Sequence, residues 1–159
     1  MKSKGNICAL LLALLALLTI GCRGEPTSPG FPKWTAPVVD QVGYVDDSDE
    51  ELINRYLREY QRVTGTQMAV AVVKDIGGDD IALCATELAQ KWGVGEKKND
   101  TGVHVLMVPG ERQTFTAVGR GLEGVLPDVL VKHIQNEVFF PLLKSGKVGE
   151  ALRRYLHAL

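Results

Sequence analysis

Gly119-Arg120-Gly121-Leu122-Glu123-Gly124 has the GxGxxG spacing in which glycines let a backbone approach a pyrophosphate at a helix N-terminus. The surroundings do not suit that chemistry. Pro127 separates the glycines from the next helical pattern, and no later strand supplies a ribose-binding acid. A glycine-rich turn that comes close to another loop is the better physical reading. Asp46, Asp47, Asp49, Glu50 and Glu51 crowd one helix start, where the backbone dipole alone favours carboxylates. Their spacing lacks the sixth-position glycine and the distant bidentate acid of an EF-hand. Asp40 and Asp100 stand apart from that cluster, each in a turn beside an apolar segment. Asp100 lies just before an apolar strand, where parallel topology can bring it near other loops.

Other reactive side chains are sparse. His104 lies in an apolar strand, His133 on a helix and His157 near the end, so no two histidines have ligand spacing. They read as core or surface positions. The chain has no GxSxG, no GxxxxGK followed by Ser or Thr, and no arginine six residues after Cys84 as a cysteine phosphatase loop would need. Cys84 reads as a small buried hydrophobe. The full chain carries 18 basic and 19 acidic residues, which gives no basic surface for nucleic acid.

The elements that must position these groups follow from periodicity. Ser48-Asp49-Glu50-Glu51 has capping-box spacing, and Leu52, Tyr56, Tyr60 and Val63 recur on one face until Gly65, predicting a helix over Asp49–Thr64. Met68–Val73 is a continuous apolar, β-branched run that suits a central strand covered on both faces. Asp79 or Asp80 can cap a second helix with Ile81, Cys84, Ala85, Leu88 and Trp92 in one stripe, ended by Gly93. Val103–Val108 is the next strand, so a right-handed parallel crossover is expected. After the Pro109–Arg112 turn, Gln113–Val118 alternates as an antiparallel hairpin partner would. A third helix is expected from Pro127-Asp128 to about Phe139, ended by Pro141, and a fourth over Val148–Leu156. The fold class is α/β.

The N-terminus has a different composition. Lys2 and Lys4 precede an apolar run from Ile7 to Ile20, followed by Gly21-Cys22 and a polar stretch, which is the pattern of a secretory signal. The run is shorter than the roughly 20 residues that cross a bilayer as a helix. Thr19-Ile20-Gly21-Cys22 resembles a lipobox, with Thr19 where an aliphatic residue is usual. The expectation is a signal peptide over residues 1–21, lipidation at Cys22 and anchoring by the acyl chains. Residues 22–37, with Pro26, Pro29, Pro32 and Pro37, form an extended tether. Trp34 can meet the membrane interface or pack on the domain. Arg23 after Cys22 favours an outer-membrane or periplasm-facing location.

Val39-Asp40, Thr64-Gly65-Thr66-Gln67, Trp92-Gly93-Val94-Gly95, Asp100-Thr101-Gly102-Val103, Val118-Gly119-Arg120-Gly121-Leu122-Glu123 and Phe140-Pro141-Leu142-Leu143 occur in that order. As a series they resemble the TPM domain family over residues 38–159. The resemblance implies a three-layer α/β/α sandwich with a small mixed sheet in exported proteins, with metal binding reported for some members and acid phosphatase activity proposed for a plant one. It matches Asp40 to an early family aspartate, Asp100 to an aspartate-asparagine-glycine turn in which Thr101 replaces the asparagine, and Gly119, Gly121 and Glu123 to a V-G-x-G-L-E loop. The chain ends at Leu159 without the transmembrane helix of many relatives, so the lipid is expected to take its place. The reading is a tethered, non-catalytic binding module at the cell envelope. In it Asp40 and Asp100 offer oxygen ligands to calcium or magnesium, Arg120 joins the glycine loop, and an envelope protein is the partner. The rival reading is a metal-assisted phosphatase.

Overall fold

The computed structural model describes residues 30–95 and 99–159. The expected leader over residues 1–21, Cys22 and the tether as far as Pro29 lie outside the described residues. Four strands form one mixed sheet in the order β1-β2-β3-β4. These are β1 (Val38–Asp40), β2 (Gln67–Val72), β3 (Gly102–Val108) and β4 (Gln113–Val118). The first three are parallel, and β4 returns antiparallel to β3. β2 is central, as its unbroken apolar run requires. β1 is too short to leave a periodic signature in the sequence.

Alternation along the strands sends the two faces into separate cores. Met68, Val70, Val72, Val103, Val105 and Met107 meet Ile53 and Leu57 of α1 (Asp47–Thr64) together with residues from the C-terminal helices. Ala71, Val73, Leu106 and Val108 meet Cys84, Ala85 and Leu88 of α2 (Ile81–Trp92). The stripe expected for α2 therefore faces the sheet, and Asp80 caps the helix by accepting the Ala82 and Leu83 N–H groups at 2.9 and 3.0 Å. Helix α1 begins two residues earlier than the capping box implied. Its first turn closes through the Asp46 carbonyl, which accepts the Glu50 N–H at 2.9 Å, and no side chain caps it.

The two parallel crossovers advance in the same direction across the sheet, yet α1 and α2 lie on opposite faces. They therefore differ in hand, so the right-handed rule holds for only one of them.

After β4 the chain forms α3 (Asp128–Ile134), a π-helical stretch over Gln135–Phe139, α4 (Phe140–Lys144) and α5 (Val148–Ala158). Pro141 does not end the third helix as expected. The Phe140 N–H reaches back five residues to the Gln135 carbonyl, and this wider turn shifts the backbone register just where proline's missing N–H and bulky ring would break an ordinary α-helix. Gln135, brought inward, donates to Thr116 Oγ1 at 3.2 Å, and Thr116 Oγ1 lies 2.7 Å from Tyr155 Oη. Burial pushes the Tyr155 phenol up to about 12. Among the described residues no helix is long and apolar enough to cross a membrane.

The described end of the tether is held on the domain. Trp92 Nε1–H donates to the Pro32 carbonyl at 2.9 Å, and Trp34 meets Trp92 edge-on at 5.1 Å between ring centroids. Lys91 Nζ sits 4.9 Å over the Phe31 ring. Trp34 thus packs on the domain while remaining 37% exposed.

Candidate functional site

Three loops meet at the end of the sheet where β2 and β3 begin and β4 finishes. The first is Gly93-Val94-Gly95 after α2, the second Asn99–Gly102 before β3, and the third Gly119–Glu123 after β4. Backbone bonds stitch them together. Gly119 N–H donates to the Gly102 carbonyl at 2.8 Å, Gly121 N–H to the Asp100 carbonyl at 3.1 Å, and Gly95 N–H to Gln67 Oε1 at 3.0 Å. The Asp100 carboxylate accepts the Arg120 backbone N–H at 3.1 Å. Asp100 itself adopts φ 49°, a left-handed conformation that aspartate tolerates better than most residues.

The glycines have a steric cause. A Cβ on Gly119 would fall on the Asp100 carbonyl, and one on Gly121 on the Asn99 carbonyl. Gly95 and Gly102 approach each other in the same way, with a Cβ on Gly95 only 2.7 Å from the Gly102 nitrogen. The GxGxxG run is thus the close loop-on-loop contact expected of it, with no helix N-terminus behind it. Only the three-residue 3-10 turn Arg120–Leu122 follows.

Asp40 and Asp100, expected to share a cation, are not brought together. Asp40 pairs with Val72 at one end of β2, whereas Gly102, two residues after Asp100, pairs with Gln67 at the other. Five residue steps along a strand separate those ends by about 17 Å. Both Asp40 oxygens are engaged locally, accepting the Val42 and Val45 N–H groups at 2.9 and 2.7 Å. This aspartate shapes the β1–α1 turn. Beside it, burial first, and then repulsion from Asp40 and Asp47, raise the Glu50 carboxyl above its ordinary value. Among the described residues no group of three or more His, Cys, Asp or Glu side chains is arranged to hold a metal ion. Calcium takes six to eight oxygen ligands, and Asp40 and Asp100 cannot share one ion across that distance.

Beside the loop cluster a cleft of about 970 Å³ opens between α2 and β4. Thr86, Gln90 and Gly93 line one wall and Phe115–Val118 the other, with Asp100, Arg120, Glu123 and Asp128 at the loop end. His104 also lines it, though the residue is 1% exposed. Its Nδ1 lies 3.0 Å from the Ala85 carbonyl, an acceptor, so Nδ1 carries the proton. Nε2 is then a bare acceptor and has no hydrogen-bond partner among the described residues. Burial pushes the imidazole down to about 4, opposed by the Ala85 hydrogen bond. Trp92 meets the ring edge-on at 5.3 Å. Among the described residues no carboxylate bonds Nδ1 and no nucleophile bonds Nε2.

Two further side chains with nucleophilic atoms lie near the cleft. The Thr116 hydroxyl is taken up by Tyr155 and Gln135. Cys84 is buried, and desolvation followed by nearby acids raises its thiol away from thiolate formation. The sequence leaves His104 as a core or a surface position; it is buried, and its place against the cleft has no signal in the sequence. Gln67, which ties two loops, was also missed as a site residue; its position immediately before the apolar run of β2 was the available signal.

Residues 38–159 match the family described as TPM domain. The solution structure of the N-terminal domain of a protein from P. gingivalis is similar at 32% identity and a TM-score of 0.70, covering 78% of this chain and 79% of that one. The N-terminal domain of the cg2496 protein from Corynebacterium glutamicum is similar at 18% identity and a TM-score of 0.61, covering 83% of this chain and 81% of that one. The second likeness is one of fold. No curated protein matches the chain.

Proposed function

The chain belongs to the TPM domain family, and we propose that it is a non-catalytic binding module of the cell envelope, tethered through lipid at Cys22, that receives a protein partner at the glycine-loop end of the α2–β4 cleft. The observation that carries this reading is the surface beside that loop. Val125 and Val129 are 74% and 75% exposed and stand two and six positions after Glu123 in the loop that also carries Arg120. Exposed apolar side chains rimmed by charge are the composition of a protein-contact surface. The loops beneath are fixed by backbone contacts and present a pre-organised shape.

A photoreactive amino acid placed at Val125 in the full chain, in cells, tests this. The expected result is a discrete adduct with an envelope protein, absent when the same group replaces exposed Arg58 on α1. Equal adducts from both positions would overturn the reading. So would release of phosphate from p-nitrophenyl phosphate by the purified chain that is lost in Asp100→Asn.

A further inference from the structure

Strand β4 ends the sheet, and its outer side is open to the cleft. The ladder fixes which of its backbone groups face outward. Gly119 N–H donates to the Gly102 carbonyl, so with the continuous register Ala117↔His104 and Phe115↔Leu106 the residues Ala117 and Phe115 turn their N–H and C=O groups toward β3. The alternate residues Thr114, Thr116 and Val118 turn theirs away. The far side of β3 agrees, since the Met107 carbonyl, opposite Thr114, accepts from Val73 on the β2 side.

The cleft supplies an independent observation. Phe115 and Ala117 pack on the α2 face of the sheet, whereas Thr116 bonds Tyr155 and Val118 packs on the other face. All four consecutive residues nevertheless line the same cleft. Side chains from opposite faces share one cavity only where that cavity runs along the backbone edge between them.

Edges of this kind are normally blunted by lysine, proline, a bulge or brevity. The Gln-Thr-Phe-Thr-Ala-Val sequence of β4 has no charge and no proline, and its pairing has no bulge. The opposite edge, β1, is only three residues long. We infer that β4 is a strand-addition site: an extended peptide segment of a partner protein lies in the cleft as a fifth strand, pairing with the backbone of Thr114, Thr116 and Val118. A row of outward N–H and C=O groups is complemented by another extended backbone. Asp100, Glu123 and Asp128 outnumber Arg120 at the loop end, so the segment carries a cationic side chain there. This deepens the binding-module reading and rests on it.

The test is amide hydrogen exchange of the full chain in detergent micelles, with an alternating threonine–valine heptapeptide ending in lysine as the probe. At about 1 mM peptide, the Thr114, Thr116 and Val118 amides should slow by roughly tenfold or more, while Phe115 and Ala117, already bonded to β3, change little. The same peptide N-methylated at alternate residues should give no protection. Thr114→Pro, which removes an outward N–H without touching the ladder, should weaken the effect. Equal protection by the methylated peptide, or none by either, overturns strand addition; if the Val125 adduct is still obtained, the binding-module reading survives. Protection that grows with protein concentration in the absence of peptide overturns it in favour of pairing between two copies of the chain.

Discussion

His104 illustrates how one buried side chain sets a pH response. Its ordinary value is 6.5, and burial lowers it to about 4 in the folded chain. Above pH 6.5 the imidazole is neutral in both folded and unfolded chains, and the stability is fully present. As pH falls from 6.5 toward 4, the unfolded chain takes up a proton that the folded chain refuses, so stability is lost, by roughly 3 kcal/mol over the window. Urea unfolding at pH 7 and pH 4.5 should show a smaller loss for His104→Leu than for the native chain, because the carboxylates titrate alike in both. Equal losses would refute this account. The sequence places His104 in an apolar strand without deciding between core and surface, and it hides the hydrogen bond, because Ala85 is 19 positions away on another element. Asp100 was recognisable from its turn. Its pairing with Asp40 was not excluded by spacing alone, since it is the parallel pairing of short β1 with β2 that sends Asp40 to the opposite end of the sheet.

At the scale of elements, periodicity revealed α1, α2, the central strand and the β3–β4 hairpin, because each buries one stripe or both faces of a regular segment. It failed where a tertiary partner overrides local preference. Pro141 signals a stop, yet the π-helical turn ahead of it lets the chain continue and turns Gln135 inward to Thr116. The glycine loops belong to the same scale, since what they require is room for a neighbouring backbone. Gly121→Ala would drive a Cβ onto the Asn99 carbonyl and should cost about 1–3 kcal/mol, the range for overpacking. Gly124→Ala, with open space around it, should stay within about 0.5 kcal/mol. Urea midpoints of the two variants check the contrast, and equal midpoints would show that the loop contact yields.

For the whole molecule, the α/β class followed from the order of strands and helices, but the hands of the crossovers did not. The helix faces are set by which apolar stripe meets which strand parity, and β1, being so short, left no parity to read. The attachment of the tether was also hidden, because Pro32 contributes only a carbonyl. Trp92→Phe removes the donor to that carbonyl. It should lower stability by about 1 kcal/mol and speed thermolysin cleavage within residues 31–36, whereas unchanged cleavage would mean that ring packing alone holds the segment. That clamp also governs distance. With Phe31–Trp34 fastened to α2, nine peptide steps separate Cys22 from Phe31, a span of at most about 32 Å. An acyl anchor on Cys22 would then confine the α2 wall of the cleft to a shallow layer above the bilayer. Within it, a partner strand close to its own membrane span is met at high local concentration, and one borne on a distant domain is out of reach.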